Sequence, residues 1–451
     1  MTAPSVTTQA TPSASERFGP GTFTWIVGIE DTCVYPPARF EMQPLDEHAL
    51  TEHDLQWRAD LERVASLGAT ALRYGVNWPR VHTAPGVFDW TVLDERIAYA
   101  TSLGITIIAD LVHYGTPTWL EDSFADVRYP TAIGDFAGAF AARYAGVVDH
   151  LTPLNEPVTT ASFAGLRGVW PPALTGWTGW VRVVVGIAEG LQRAVRAARA
   201  ANPDAVIVHV EATSAYVTEP DATEDLAVEA ALLNRLGFVP TDLVLGLVTP
   251  EHPAHDWLLS QGAALEDLEG LVRNSVQIDL LGVNFYPDLS PRRLVRDGEA
   301  IVQHAYNGWT DGLVRSLRAF EERYRLPMLI TETSIEGEDE VRSSWARESV
   351  DSLRDLIAEG VDVRGWTWWP VFDFVDWSYA SGGRNVEEFA VSSDLVAARQ
   401  ASGSVEPYLR RMGLVRLEAD AEGHILRVPT ATASVCRELA GSGDLGTVTA
   451  S

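Results

Sequence analysis

A chain of 451 residues is long enough for one large barrel or for two to three average domains. Its formal net charge of −28 argues against a nucleic acid or an anionic membrane as its partner. All 34 basic residues are arginine, which excludes enzymes that need a Schiff-base lysine or a P-loop lysine.

The first segment of the chain has low complexity. Residues 1–18 lack the basic and apolar regions of a signal peptide, so we expect a disordered leader before a folded region that spans residues 19–451. No apolar run approaches the ~20 residues that a membrane helix needs. Cys33 and Cys436 are far apart, which argues against a disulfide framework and fits a reducing compartment. The expected location is therefore cytoplasmic.

Short apolar runs alternate with helical patterns along the rest of the chain. The predicted strands are Phe23–Ile29, Ala69–Val76, Ile105–Val112, Val147–Leu154, Ala205–Val210, Leu280–Phe285, Met328–Thr331 and Val363–Trp369. The predicted helices are Asp54–Leu67, Thr91–Leu103, Ala132–Tyr144, Val181–Ala201, Ala222–Leu236, Gly312–Tyr324, Ser343–Glu359 and Ala431–Leu439. This alternation predicts a single α/β domain, a (β/α)₈ TIM barrel with long loops at its C-terminal face. Residues 380–411 are predicted to form one long loop over the active-site face.

Polar and aromatic side chains follow the predicted strands, at the face where such barrels place their chemistry. They are Glu30, Arg73, His113, Glu156, Glu211, Asn284 with Tyr286, Glu332 and Trp369. A pair of carboxyls suits glycoside cleavage, because one donates a proton to the leaving oxygen and the other attacks the anomeric carbon. Tryptophan faces stack on sugars. The histidines show no metal-ligand spacing, so we expect neither a metal nor another cofactor.

Several motifs, in order along the chain, carry a resemblance to a known family. The most specific are Leu154-Asn155-Glu156-Pro157, Ile330-Thr331-Glu332, and the run from Gly360 to Trp366 that leads to Trp369, Asp373 and Trp377. On these motifs the chain resembles glycoside hydrolase family 1, the β-glucosidase family, from Phe23 to about Leu439. The resemblance implies a retaining β-glycosidase that acts on a small soluble glycoside or oligosaccharide.

The resemblance also implies roles for individual residues. Glu156 would be the general acid/base and Glu332 the nucleophile, with Arg73 and Tyr286 orienting Glu332. The implied substrate-binding residues are Asn155, His113, Asn284, Trp369, Asp376 and Trp377. A retaining mechanism needs the two carboxyls ~5–5.5 Å apart. At that distance each carboxylate favours protonation of the other, which would keep Glu156 protonated.

The chain departs from the family's pattern at the far end of the sugar site. Gly28 stands where the family carries Gln, and Asp376 stands where a Glu grips the 4- and 6-hydroxyls. We therefore expect a glycone other than plain glucose, or one gripped by other groups such as Glu30 or Arg384. Two alternatives stay open: a transglycosylase of the same fold, and a catalytically silent sugar-binding barrel.

Overall fold

Eight parallel strands close into a barrel in the computed structural model, which describes residues 17–40, 42–380, 393–401 and 404–441. The barrel strands are β1 (Thr24–Gly28), β2 (Ala71–Gly75), β3 (Thr106–Asp110), β4 (His150–Thr152), β5 (Val206–Ala212), β6 (Leu280–Asn284), β7 (Met328–Thr333) and β8 (Val363–Trp368). Each strand pairs in parallel with the next one along the chain, and β8 pairs with β1. The predicted (β/α)₈ barrel is confirmed.

The main helices follow the strands and pack around them. They are α1 (His53–Ser66), α2 (Thr91–Ser102), α3 (Tyr129–Tyr144), α4 (Gly176–Ala201), α5 (Glu224–Leu236), α6 (Trp309–Tyr324), α7 (Asp339–Ala358) and α8 (Ala431–Gly441). The largest boundary errors lie at helix starts. The first turn of α7 carries Asp339 and Glu340, which favour the positive end of the helix dipole but lie outside its apolar stripe. Within the described residues, no helix is long and apolar enough to cross a membrane.

Shorter elements lie between the barrel strands and the main helices. A helix at Pro157–Ala161 runs into a π-helical turn at Ser162–Leu166 between β4 and α4. A small sheet pairs Ala215–Val217 with the hairpin of Pro291–Asp297 and Ala300–Ala305. The remaining strand pairs are Cys33–Val34 with Leu45–Asp46, His82–Ala84 with Val87–Phe88, Phe374–Val375 with Leu409–Arg410, and Val415–Ala419 with Ile425–Pro429. The remaining short helices are Glu47–Leu50, Trp78–Val81, Ser123–Ala125, Val239–Val244, His255–Ser260, Leu265–Arg273, Trp377–Tyr379 and Glu406–Tyr408.

The inside of the barrel changes from apolar to polar along its axis. An apolar cluster that includes Ile26, Ile108 and Leu329 fills one part of it. Phe18 joins this cluster and is only 3% exposed. Phe18 belongs to the predicted leader of residues 1–18, of which residues 1–16 lie outside the described residues. The strand ends beyond this apolar layer carry the polar side chains of the site.

The predicted loop at residues 380–411 is wrong in part. Residues 381–392, which include Arg384, and residues 402–403 lie outside the described residues. Ser393–Ala401 forms a helix rather than a loop. The buried side chain of Arg399 ties this helix to the following segment, because its Nε donates to the Pro407 carbonyl at 3.1 Å. The composition of this segment does not reveal this hydrogen bond between residues eight positions apart.

Candidate active site

Glu156 follows β4 in a backbone conformation that side chains rarely adopt. The backbone N–H groups of Asn155 and Glu156 donate to the carbonyls of Val112 (2.9 Å) and Val210 (3.2 Å) on the two neighbouring strands. Glu156 itself has φ 46° and ψ 71°, in the left-handed region, and Pro157 then begins a short helix. This conformation costs on the order of 1 kcal/mol or more, so the surrounding contacts must hold it.

Glu332 lies on β7 and is buried against two donors from other strands. Arg73, at the middle of β2, donates from Nη1 to Glu332 Oε1 at 2.6 Å. The Tyr286 hydroxyl, just beyond β6, donates to Glu332 Oε2 at 2.7 Å. Burial and the adjacent Glu332 carboxylate raise the pKa of Tyr286 well above its usual value, so the phenol keeps its proton. Both contacts favour the ionised form of Glu332.

Glu156 also has two donors. Asn284 Nδ2 donates to its Oε1 at 2.7 Å, and the Tyr114 hydroxyl donates to its Oε2 at 2.9 Å. The Asn284 amide is oriented by Thr331, whose hydroxyl donates to Asn284 Oδ1 at 2.6 Å. Sequence reasoning missed Tyr114, although it follows His113 directly at the end of β3. This position, next to a predicted site residue at the end of a strand, was the sequence signal that could have identified Tyr114.

Asn155 links the surroundings of the two carboxyls. Its Oδ1 accepts from Arg73 Nη2 at 2.9 Å, and its Nδ2 donates to the Tyr114 hydroxyl at 2.8 Å. Arg73 therefore contacts both Glu332 and Asn155, while Tyr114 contacts both Glu156 and Asn155. The residues predicted from four different strand ends thus form one connected hydrogen-bond network.

The two carboxyls are buried, with Glu156 7% and Glu332 3% exposed. Burial raises the pKa of Glu332 to about 8; Arg73 opposes this rise and Glu156 adds to it. Near neutral pH the buried site therefore favours a proton on Glu332, against the attraction of Arg73.

His113 lies between two carboxylates that the sequence did not identify as partners. Its Nδ1 is 3.0 Å from Asp31 Oδ1 and 3.0 Å from Asp110 Oδ2. Burial acts against the charged imidazole, but Asp31 and Asp110 outweigh it and raise the pKa of His113 well above its usual value. These contacts hold a proton on Nδ1 and leave Nε2 3.2 Å from Asn155 Nδ2.

Glu30, Asp31 and His113 place their ligand-type atoms within 4.8 Å of one another, close enough to hold a cation. Each of these groups already has a protein partner, and Arg73 donates to the neighbouring Asp110. The fixed positive charge of Arg73 disfavours a second cation beside it. We therefore assign the three side chains to hydrogen bonding.

Trp369 fills the space left by the missing side chain at Gly28. A Cβ atom on Gly28 would lie 1.7 Å from Trp369 Cε3, so only glycine fits there. The Trp369 indole is parallel to His113, with ring centroids 5.5 Å apart, and its Nε1 donates to Glu30 Oε2 at 2.9 Å. The absence of a side chain at Gly28 therefore permits the position of Trp369, one of the predicted substrate-binding residues.

Asp376 and Trp377 lie at the other side of the same cavity. Asp376 Oδ1 accepts from the Ser378 backbone N–H at 3.0 Å and from Arg399 Nη1 at 3.1 Å. Its Oδ2 is 3.6 Å from Arg410 Nη1. Trp377 packs against Trp170, with ring centroids 5.2 Å apart, and its buried Nε1 has no hydrogen-bond partner among the described residues.

These side chains surround a cavity of about 270 Å³ at the carboxyl-terminal face. Predicted site residues that line it are His113, Glu156, Tyr286, Glu332, Trp369, Asp376 and Trp377. Of the other three, Arg73 and Asn284 donate to the carboxyls of Glu332 and Glu156, and Asn155 is joined to them through Arg73. Glu211 is buried behind Glu156, where its Oε1 accepts from the backbone N–H of Val158 at 3.1 Å.

Comparison with known proteins assigns the chain to a family. The family model "Glycosyl hydrolase family 1" matches residues 29–385, most of the chain. The chain belongs to glycosyl hydrolase family 1. It is a glycoside hydrolase, and its relatives indicate a β-glycosidase.

Family 1 relatives match this chain at low identity. A β-glucosidase of Agrobacterium sp. is 24% identical over 365 residues, covering 72% of this chain and 77% of the relative. A bifunctional β-D-glucosidase/β-D-fucosidase of Bifidobacterium breve is 25% identical over 391 residues, covering 73% and 81%. The solved family 1 β-glucosidase from Thermotoga maritima has a TM-score of 0.75 at 17% identity, covering 95% of this chain and all of that one. The structural likeness supports the family 1 barrel fold.

Proposed function

We propose that this family 1 enzyme is a retaining β-glycosidase that hydrolyses a small β-glycoside by double displacement. The observation that carries the proposal is the carboxyl pair. Glu332 accepts from Arg73 (2.6 Å) and Tyr286 (2.7 Å), which favour its ionised form, while Glu156 lines the same cavity. In this proposal Glu156 supplies the acid, and ionised Glu332 supplies the nucleophile.

In the first step, Glu332 attacks the anomeric carbon as the bond to the leaving oxygen breaks. The proton of Glu156 passes to that oxygen, and the aglycone departs as an alcohol. In the second step, Glu156 takes a proton from water as the water oxygen attacks the anomeric carbon, and the bond to Glu332 breaks. The sugar leaves with the β-configuration it had in the substrate. Glu156 ends protonated, ready for the next turnover.

The neighbouring groups supply binding and orientation in this proposal. His113 offers Nε2 to the sugar hydroxyls, while Asn155 and Asn284 lie just outside the cavity lining and would bind hydroxyls near the reacting carbon through their amide groups. Trp377 offers an indole N–H that has no partner within the described part of the chain, and Asp376 offers Oδ2, which lies 3.6 Å from Arg410 Nη1. Trp369 presents its ring to the sugar. We expect the far end of the glycone to be bound by Glu30, Asp376 and Trp377, of which Asp376 differs from the family's pattern.

The test is a panel of 4-nitrophenyl β-glycosides: glucoside, galactoside, fucoside, xyloside and glucuronide. We expect 4-nitrophenol release from at least one sugar, with the β-anomer appearing first by proton NMR. An α-anomer as first product would overturn the retaining mechanism. Transfer of the sugar to added alcohols in preference to water would identify a transglycosylase. No release from any glycoside would identify a silent sugar-binding barrel.

A further inference from the structure

A third carboxyl, Glu211, lies behind the two that the proposed mechanism uses. Glu211 is near the end of β5 and is 0% exposed. Its Oε1 accepts from the backbone N–H of Val158 at 3.1 Å and from that of Ala212 at 2.9 Å. Val158 and Ala212 line the cavity, whereas the described residues that line it do not include Glu211. Its carboxyl therefore acts on the cavity through its neighbours rather than by contact with a substrate.

The N–H of Val158 is the first one that follows Glu156 along the chain, because Pro157 has no N–H group to donate. Glu156 is held in the left-handed region, and its own N–H donates to the Val210 carbonyl at 3.2 Å. The hydrogen bond from Val158 to Glu211 fixes the backbone on the other side of this turn. Both anchors of the turn come from β5, since Val210 and Glu211 are consecutive residues of that strand.

The second hydrogen bond of Glu211 holds the segment that supports Asn284. Ala212 is the register partner of Asn284 in the barrel. The next residue, Thr213, donates to the Asn284 carbonyl from its backbone N–H at 3.0 Å and from its hydroxyl at 2.7 Å. Asn284 in turn donates to Glu156 Oε1 at 2.7 Å. One carboxyl oxygen of Glu211 therefore joins the backbone that carries Glu156 to the backbone that holds its amide donor.

The surroundings of Glu211 favour its neutral form. Burial raises its pKa well above the usual value against the opposing N–H groups of Val158 and Ala212, and Glu156 adds to the rise. Its Oε2 is buried and has no hydrogen-bond partner within the described part of the chain. In the neutral form, Glu211 adds no negative charge beside Glu156. We therefore expect glutamine, which is neutral and keeps the accepting oxygen, to replace Glu211.

Resting on the proposed function, we propose that Glu211 is a positioning residue for the acid: its Oε1 fixes the Glu156 carboxyl against the Asn284 amide, so that the proton of Glu156 is directed to the leaving oxygen. Proton transfer needs the donor and acceptor atoms within hydrogen-bond distance. A displacement of about 1 Å at such a group lowers the rate about a hundredfold. Loss of the Glu211 acceptor leaves two N–H groups unpaired in a buried site, so the turn at Glu156 has to rearrange.

The experiment measures how strongly each variant depends on acid help to the leaving group. It compares kcat/KM for two glycosides of the best glycone in the panel: the 2,4-dinitrophenyl glycoside, which needs no acid, and the phenyl glycoside, which does. For Glu211→Leu we expect kcat/KM to fall about a hundredfold on the phenyl glycoside and less than about threefold on the dinitrophenyl glycoside. An equal fall on both glycosides would indicate a structural role alone and overturn the proposal.

A second variant without the acceptor guards against misfolding of the first, which circular dichroism would report. Glu211→Met has a flexible side chain that can fill the same space, and we expect it to lower the phenyl-to-dinitrophenyl ratio of kcat/KM as Glu211→Leu does. Glu211→Gln keeps the accepting oxygen and should hold the ratio within about threefold of the wild type. A ratio that falls as far in Glu211→Gln as in the acceptor-free variants would overturn the role of Oε1.

Asp242→Asn is a matched control for the loss of a buried carboxylate. Asp242 is 0% exposed and accepts from Arg323 Nε at 2.9 Å, and neither residue is among the described ones that line the cavity. This variant should lower the unfolding temperature and leave the phenyl-to-dinitrophenyl ratio unchanged, because its ion pair supports the fold and not the acid.

The effect of Glu211→Leu should depend on Glu156. In a Glu156→Gln background, Glu211→Leu should lower kcat/KM on the phenyl glycoside by less than about threefold further, because the carboxyl that it positions is gone. A further loss of about a hundredfold in that background would show that Glu211 acts on another group, and would overturn the proposal.

A crystal structure of Glu211→Leu separates this proposal from the proposed function. We expect the distance from Asn284 Nδ2 to Glu156 Oε1, which is 2.7 Å in the wild type, to exceed about 3.5 Å whether or not a glycoside is cleaved. That shift in an enzyme that cleaves no glycoside would support the positioning and overturn the hydrolase mechanism. An unchanged distance and an unchanged ratio in an enzyme that cleaves glycosides would overturn the positioning alone.

Discussion

The reacting end of the cavity keeps the motif residues of family 1, whereas the far end departs from them. At the reacting end, Arg73, Asn155, Glu156 and Glu332 occupy the motif positions and form one hydrogen-bond network. At the far end, Gly28 has lost the side chain of the pattern, and the Trp369 ring occupies the space. Bond cleavage needs a particular arrangement of two carboxyls, whereas a sugar hydroxyl can be held by several different groups. We therefore expect the reaction type to follow the family more closely than the choice of sugar does.

The largest expected effect comes from removing the carboxyl of Glu332. Glu332→Ala should lower kcat by about four orders of magnitude or more, because no covalent intermediate can form. Added azide should restore turnover and yield the α-glycosyl azide, which proton NMR identifies. Glu338→Ala is a suitable control, since Glu338 is exposed and makes no side-chain capping bond. Near-normal rates in Glu332→Ala would contradict the proposal that Glu332 is the nucleophile.

The pH profile tests the protonation state of Glu332. Burial raises the pKa of Glu332 to about 8, so the ionised nucleophile that the proposal needs becomes more abundant as the pH rises, and we expect kcat/KM to rise about tenfold per unit below pH 8. Glu156→Gln leaves Glu332 in place, so the rise should persist on a 2,4-dinitrophenyl glycoside, which needs no acid help. It should lie at lower pH, because Glu156 no longer raises the pKa of Glu332. A profile of Glu156→Gln without this rise would assign it to another group.

At the far end, Asp376→Asn distinguishes sugar binding from structural support. Loss of a charged acceptor should raise KM for the preferred glycoside about tenfold and change kcat less. The ion pair with Arg399 is buried, so the unfolding free energy should also fall. A fall in stability with an unchanged KM would indicate that Asp376 has a structural role. Binding of the glycone would then be assigned to Glu30 and Trp377.

The smallest expected effect comes from Gly28→Ala, measured as the unfolding free energy in denaturant. The added methyl group lies where Trp369 now sits, so Trp369 must move, and we expect a loss of about 2 kcal/mol. Gly441→Ala should not destabilise, because within the described residues a Cβ atom placed there would meet no heavy atom within 4 Å apart from its own chain neighbours and helix backbone. If Gly28→Ala were as stable as the wild type, the coupling between Gly28 and Trp369 would be wrong.

The elements that local pattern determines could be predicted from the sequence. The eight apolar runs have the length and flanks of buried strands, and Pro157 blocks continuation of β4, which placed Glu156 at a strand end. The partners of each site residue could not be predicted, because they come from other strands. Tyr114 reaches Glu156 from β3, and Asp31 reaches His113 from β1. Such pairs depend on strand register and side-chain direction in the closed barrel, which have no local signature.

The left-handed backbone of Glu156 has a consequence for directed evolution of this enzyme. Glycine and asparagine adopt φ near 46° at lower cost than glutamate, so at this position stability and chemistry favour different residues. A screen that selects only for heat resistance would therefore accept replacements that remove the proposed acid. Selection for a more robust catalyst has to score turnover and thermal tolerance in the same round.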